Sequence, residues 1–246
     1  MSKKKWLILV VLGAALCSIT VVAAVIWLFV IQGGLSMDPF LPVYTTEQVA
    51  SVHSGYRRTI LSSGGAVYVN DYDEYPLRLI DPYPSDIVGR SQFGGGKICA
   101  IPGQKPTAYL AADVGSEMPA YEVFRNSQQP PFDWRTTTFQ KMQLAMLIGP
   151  AANKSTTEPA LIEDVVRTLK EGIPTTALAV VATNVHGVNL FCDQLPGLVY
   201  CPNVYIDERG AVYLTESIAI EDYKTLRVQA RWIPASPLFT NWAQTR

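Results

Sequence analysis

The sequence predicts an α+β protein: one N-terminal transmembrane helix, followed by a mostly antiparallel, β-rich domain with at least one helix. Three observations predict this class. A long apolar run occupies residues 6–31, short runs of β-forming residues alternate with turn residues further on, and one helical repeat covers about 159–171. The 246 residues are 48% hydrophobic and 17% charged, a composition typical of folded globular proteins.

The apolar run from Trp6 to Ile31 contains no charged side chain and no Pro. As a helix rising about 1.5 Å per residue, it would cross a hydrocarbon core of about 30 Å. A cleaved signal peptide has a shorter apolar region of roughly 7–15 residues, so we expect an uncleaved signal anchor. Lys3, Lys4 and Lys5 precede the run, and positively charged flanks remain in the cytoplasm.

This topology predicts four parts. Residues 1–5 form a cytoplasmic tail, residues 6–31 the anchor, residues 32–43 a stem containing Gly and Pro, and residues 44–246 one extracytoplasmic domain. The predicted location is the cell membrane, with the lipid bilayer as a partner and the main domain periplasmic or extracellular.

Two surfaces could join the chain to a membrane-protein partner. Gly13, Cys17 and Ser18 would give the predicted transmembrane helix a face of small residues, which lets a second helix approach closely. The C-terminal tail from Trp232 to Trp242 is rich in aromatic residues and could either dock on a partner or pack back on its own domain.

Strands are predicted where β-forming residues are bounded by turn residues, at 66–69, 77–80, 107–113, 121–124 and 141–148. The last of these segments also shows helical spacing of Phe139, Met142 and Met146. A hairpin is predicted over 204–214, with Gly210 at a turn position that favours a positive φ.

The predicted helix over 159–171 has Pro159 in its first turn and Gly172 as its stop. Its apolar residues Leu161, Val165 and Leu169 recur every fourth position. An apolar run at 176–182 then predicts a buried strand, which could complete a βαβ crossover with the helix.

The charge pattern disfavours a nucleic-acid partner. All 21 acidic residues follow the apolar run, and only 17 of the 20 basic residues remain once Lys3, Lys4 and Lys5 are set aside. The predicted exported domain is therefore acidic, without the basic stripe that phosphate binding needs.

The cysteines beyond the predicted anchor are Cys99, Cys192 and Cys201. Cys192 and Cys201 flank a Pro-Gly turn between two apolar runs, which predicts a disulfide between them in an oxidising compartment. Buried thiols, or a pairing that uses Cys99, are the alternatives. No Cys-x-x-Cys motif or spaced His pair is present, so no zinc site or other cofactor is predicted.

Three groups of residues are candidates for catalysis or metal binding. Cys99 lies two residues after Lys97, and a nearby lysine could lower the pKa of a nucleophilic thiol. The simpler interpretation is that Cys99 is a small buried core residue. The two histidines, His53 and His186, are candidates for a general base. The chain contains no Gly-x-Ser-x-Gly motif that would supply a serine nucleophile beside either of them. The acidic segment 70–75 could offer oxygen ligands to Ca²⁺, but it lacks the Gly turn and terminal Glu of a calcium loop.

The sequence therefore predicts no catalytic, cofactor-binding or metal-binding residue. The favoured function is an accessory, structural or binding subunit of a membrane-associated assembly. An anchored extracytoplasmic enzyme, such as a hydrolase, and a ligand-binding module are the alternatives, and a cleft holding converging titratable groups would favour the enzyme.

Overall fold

In the computed structural model of the chain, the described residues are 18–25, 40–50, 57–70, 76–92, 96–113, 121–145, 154–175, 180–181, 185–216, 218–222 and 227–244. Within them the fold is β-rich, and its helices are short. The strands form a closed barrel, a larger open sheet and a small three-stranded sheet.

The barrel is built by seven strands from the first half of the chain. Its strands are β1 (Val43–Ala50), β2 (Arg57–Ser63), β3 (Ala66–Val69), β5 (Ile87–Ser91), β6 (Lys97–Ala100), β7 (Tyr109–Asp113) and β8 (Tyr121–Asn126). They follow the order β1-β2-β3-β8-β7-β6-β5, and a parallel pairing of β1 with β5 closes the ring of otherwise antiparallel strands.

Barrel side chains alternate between the interior and the outer surface. One buried cluster fills the interior: Tyr44, Leu61, Tyr68, Ile98, Leu110, Ala112 and Phe124. Their neighbours Cys99, Tyr109 and Ala111 belong instead to the main core, which the barrel shares with the second half of the chain. Strand β7 is therefore buried on both faces, which explains its apolar run Tyr-Leu-Ala-Ala.

The open sheet has eight strands. They are β4 (Leu77–Leu79), β9 (Lys141–Ala145), β10 (Lys154–Thr156), β12 (Val185–Phe191), β13 (Leu198–Tyr200), β14 (Asn203–Ile206), β15 (Val212–Thr215) and β18 (Ile233–Pro234). The main path is β10-β9-β12-β14-β15-β18, and β13 pairs with both β12 and β4. Because β4 follows the barrel strand β3 in the chain, this pairing ties the two halves together.

The open sheet is covered on both faces. On one face, Val188, Leu190 and Leu214 share the main core with helix α2 (Pro159–Glu171) and helix α3 (Pro237–Gln244). The other face carries Val185, which packs with Trp232 beside the small sheet of β11 (Val180–Val181), β16 (Ala219–Asp222) and β17 (Arg227–Gln229).

The predicted fold class was wrong. The protein is β-rich with a seven-stranded barrel, rather than an α+β domain behind a transmembrane helix. Among the described residues no helix is long and apolar enough to cross a membrane; the described part of helix α1 is residues 18–25. The remainder of the predicted anchor, 6–17 and 26–31, lies outside the described residues.

Several local predictions were confirmed. Helix α2 occupies the predicted residues, with Pro159 in its first turn, and Gly210 has φ of 84° in the turn between β14 and β15. Gly172 ends α2 at a φ of −65°, and the reason for Gly there is space, because a Cβ would overlap the Ile233 side chain.

The predicted βαβ crossover was wrong. Strand β10 belongs to the open sheet and β11 to the small sheet, so the strands before and after α2 do not share a sheet. In the segment that also showed helical spacing, residues 141–145 form strand β9.

Candidate functional site

An open groove of about 630 Å³ lies between helix α2 and the segment 137–140 that leads into β9. Its volume falls within the range of ligand sites, about 300–1,000 Å³. Its floor is apolar and buried, formed by Phe139, Ile162 and Val166. Its rim is exposed and polar: Thr138, Gln140, Glu163, Arg167, Lys170 and Glu171.

The strand wall of the groove is held by a column of stacked side chains. Trp134 stacks on Tyr200 at a centroid distance of 5.3 Å and an interplanar angle of 11°. Phe139 also stacks on Tyr200, at 6.1 Å and 23°, while the Arg135 guanidinium lies 4.5 Å from the centroid of Trp134. Because Phe139 is part of both the column and the groove floor, this packing fixes the wall.

The outer end of the column is an ion pair. Arg135 Nη2 donates to both carboxylate oxygens of Glu216, at 2.9 and 3.1 Å. Burial raises the pKa of Glu216, and the adjacent Arg135 and Trp134 oppose that rise. The Trp134 indole N–H lies near this carboxylate without meeting the geometry of a hydrogen bond. The ion pair therefore joins the segment before the groove to the end of β15.

Asp133 shapes the turn that precedes the strand wall. Its side chain accepts the backbone N–H of Arg135 at 3.1 Å and the hydroxyl of Thr136 at 3.0 Å. The hydroxyl of Thr137 donates to the Asp133 carbonyl at 2.8 Å. Such Asx-type bonds set a turn locally, and residues 137–140 lead from this turn into β9.

The helix wall is fixed by a buried carboxylate. Asp164 is only 4% exposed, and it accepts hydrogen bonds from Arg167 Nη2 at 2.6 Å and from the hydroxyl of Ser236. The Ser236 hydroxyl also accepts the backbone N–H of Phe239 at 3.1 Å, so it caps helix α3. Helix α2 is thereby tied to α3 through one serine.

The candidate nucleophile Cys99 lies in the barrel wall, away from the groove lining. It is 0% exposed, and burial raises the pKa of its thiol. Tyr121 neighbours this thiol, and burial raises the pKa of that phenol to about 12. A buried thiol with a raised pKa is a poor nucleophile, so Cys99 serves as a core residue.

His186 lies in β12, with 9% of its surface exposed. Within the described part of the chain its Nδ1 has no hydrogen-bond partner, and burial lowers the pKa of the imidazole. The charged neighbours that influence Cys99 are Lys97, Asp86 and Asp113. The structure thus does not bring Cys99, His186 and an acidic group into one cleft.

The structure holds Cys192 and Cys201 as free, buried thiols. Strands β12 and β13 pair antiparallel with Leu190 opposite Tyr200, a register that does not place the two cysteines opposite each other. The predicted disulfide remains a prediction that this geometry does not favour.

The aromatic tail packs back on its own domain. Trp232 and Phe239 are 0% exposed, whereas Leu238 is 47% exposed. The amine of Lys154 donates to the Trp242 carbonyl and lies 5.0 Å from the centroid of the Trp242 ring. The described aromatic residues of the tail are thus largely committed within the domain.

Other predicted sites cannot be placed. His53, residues 71–75 of the acidic segment, Gly13 and Cys17 lie outside the described residues, while Ser18 lies in the described part of helix α1. In the parts of the chain that are described, no group of three His, Cys, Asp or Glu side chains could hold a metal ion.

Comparison with known proteins gave no assignment. The chain matches no family model, no curated protein sequence and no solved structure. The groove must therefore be interpreted from its own geometry.

Sequence reasoning missed the groove. Its signal was in α2, where Ile162 and Val166 are apolar beside the predicted stripe of Leu161, Val165 and Leu169. A helix packed against a single sheet face needs only one such stripe, so the widened apolar surface indicated a second contact. What lay opposite that surface could not be deduced from local sequence.

Proposed function

We propose that this chain is a non-catalytic accessory or binding subunit, which holds a partner protein in the groove between α2 and residues 137–140. The observation that carries the proposal is an apolar floor of Phe139, Ile162 and Val166 beneath an exposed polar rim. Buried apolar surface supplies affinity, and polar groups around it supply orientation.

The rigidity of both walls supports binding. The strand wall is stacked on Tyr200, and the helix wall is tied to α3 through Asp164. A site already held in its final shape loses little conformational entropy when it binds, so more of the contact energy becomes affinity.

An extracytoplasmic hydrolase has less support. The described lining of the groove contains no Ser, Cys or His that could act as a nucleophile or general base in the usual pairs. A small-ligand-binding module also fits the groove volume, but an open groove between two elements leaves a small ligand largely in water.

We also propose, from the sequence alone, that the protein associates with a lipid bilayer and that its folded domain lies outside the cytoplasm. The support is the apolar run at 6–31 and the preceding lysines. Protease added outside intact cells should digest the folded domain, and complete protection of that domain would exclude this location.

Blocking the groove tests the binding function. Thr138 is exposed on the rim, so Thr138→Trp should fill the groove without loss of a core side chain. Tagged full-length protein is purified from native membranes as wild type or variant, and co-purifying proteins are quantified by mass spectrometry. We expect at least one partner to fall about tenfold in the variant, a loss of about 1.4 kcal/mol in binding.

The matched control is Arg209→Trp, which adds the same side chain at the exposed tip of the β14–β15 hairpin. The partner should remain with this variant. Equal recovery of every partner with Thr138→Trp and wild type, at unchanged circular dichroism, would reject the groove as the binding site.

A further inference from the structure

Exposed apolar side chains are concentrated at one end of the barrel. Beyond helix α1, the exposed large hydrophobic residues of the described chain are Phe40, Val43, Val67, Ile80, Tyr83, Ile173, Val181 and Leu238. The first five lie at or just before the starts of strands β1, β3 and β5. Single apolar residues scattered over a surface are ordinary, whereas a concentration of them indicates a contact.

The strand directions bring these positions to the same end. Strand β1 runs parallel to β5, and β2 lies antiparallel between β1 and β3. Strands β1, β3 and β5 therefore begin together, at what we call the apolar end of the barrel. The turn of Gly64 and Gly65, between β2 and β3, lies there too. Both glycines have positive φ, and a Cβ on either would meet no atom of the described chain within 4 Å. The turn is thus open to a neighbouring surface.

The two ends of the barrel differ in charge. Three segments at the apolar end, 40–45, 62–67 and 126–131, contain no charged residue. The exposed charged side chains of the other described loops at this end are Asp81, Asp86 and Lys105. The opposite end carries charged side chains from four strands: Arg58, Lys97, Asp113 and Glu122. The apolar end is therefore the one suited to an uncharged, apolar partner.

The apolar end also begins close to the apolar run in the sequence. Only residues 32–39 separate the run at 6–31 from Phe40. Fully extended, at about 3.6 Å per residue, this link reaches at most about 30 Å. With the run associated with the bilayer, as proposed above, the link holds the apolar end beside the lipid. A short link raises the effective concentration, so even a small apolar contact can form.

We propose, building on that bilayer association, that the apolar end of the barrel rests on the lipid surface. Phe40, Val43 and Val67 enter the headgroup region, and the ring of Tyr83 lies at the same depth. Aromatic rings are favoured at this interface, where one side is apolar and the other is wet. The exposed charges at this end nearly cancel, so the contact needs apolar lipid rather than anionic headgroups.

The test measures the depth of two labelled positions in full-length protein reconstituted with phosphatidylcholine vesicles. A fluorescent amino acid replaces either Ser127 or Lys97. Ser127 is exposed at the apolar end, where its N–H donates to the Val67 carbonyl at 2.8 Å, and Lys97 is exposed at the opposite end. Emission is quenched by brominated phosphatidylcholine in the vesicles or by iodide in the water. Flotation of the same samples measures association with the vesicles.

We expect brominated lipid to quench position 127 at least about threefold more than position 97, and iodide to show the reverse order. Combining Val43→Glu with Val67→Glu should abolish the difference, because a carboxylate must lose water to enter the apolar boundary. The matched control is Val181→Glu, which changes a residue of the small sheet that is 43% exposed, as Val43 is. This control should keep the difference.

The outcomes separate the two proposals. Protein that floats with the vesicles, yet shows equal quenching at positions 127 and 97, would reject the docked end and leave bilayer association intact. Protein that does not float would reject both. A quenching difference that survives the two glutamates would show that these apolar side chains do not make the contact, and would also overturn the proposal.

Discussion

Tyr200 shows how one residue supports the groove at a cost. Its ring is stacked between Trp134 and Phe139, yet its buried hydroxyl has no hydrogen-bond partner in the described part of the chain. Burial raises the pKa of this phenol well above its ordinary value, so the hydroxyl remains neutral. The ring therefore supplies the packing, and the unpaired hydroxyl opposes folding.

Removing that hydroxyl should stabilise the protein. An unsatisfied buried polar group costs about 1–3 kcal/mol, so we expect Tyr200→Phe to raise the free energy of unfolding by about 1 kcal/mol. Denaturant unfolding measures the change. The matched control is Tyr68→Phe, where the hydroxyl donates to the Pro106 carbonyl at 3.0 Å, and its loss should destabilise by about 1 kcal/mol. A loss of stability in Tyr200→Phe would mean that its hydroxyl is paired.

His186 should make stability depend on pH. Its folded pKa is below the ordinary 6.5 because it is buried, so the unfolded chain binds more protons than the folded one as pH falls. Stability should therefore decrease below about pH 6.5, with a contribution of at most about 1.4 kcal/mol per pH unit.

The measurement for His186 compares the unfolding free energy of wild type and His186→Gln between pH 7.5 and about pH 5. The variant keeps His53 and all carboxylates, so the difference between the two proteins isolates one histidine. The wild type should lose more stability on acidification. Parallel curves would show that the histidine has the same pKa in both states.

Helix α2 was predictable as an element because its signals are local. Pro159 at the start, an apolar repeat and Gly172 at the end all lie within the helix or beside it. The tie to α3 was not predictable, since Asp164 and Ser236 are 72 residues apart in sequence. The charged residue on the buried side of the helix was the one local sign that such a partner was needed.

The link between α2 and α3 should be cooperative. Ser236→Ala removes a helix cap and one hydrogen bond to a buried carboxylate, which together should cost about 1–3 kcal/mol. Combined with Asp164→Ala, the loss should be smaller than the sum of the single losses, with a coupling of about 1 kcal/mol or more. Additive losses in chemical denaturation would show that the two side chains do not interact.

At the scale of the whole molecule, local patterns identified strands but not how they pair. The parallel contact of β1 with β5 closes the barrel, and no local signal in either strand specifies that partner. The apolar run of β7 predicted a strand, but only the assembled structure shows the barrel interior on one side of it and the main core on the other. The α+β prediction was wrong for this reason.

The groove also depends on the whole fold. Its strand wall is stacked on Tyr200 of β13 and joined to Glu216 after β15, while its helix wall depends on Ser236. These partners come from three distant parts of the chain. Sequence patterns could therefore supply the lining residues of α2 but not the cavity that they border.

The most direct test of the central claim is photo-crosslinking from inside the groove. A benzophenone amino acid replaces Thr138 in the full-length protein, and the same residue replaces Arg209 at the distant hairpin as the control. After irradiation in native membranes, adducts are identified by mass spectrometry. We predict an adduct from position 138 only, mapping to one short segment of a partner protein. Adducts from position 209 alone, or the same adducts from both positions, would contradict a partner held in the groove.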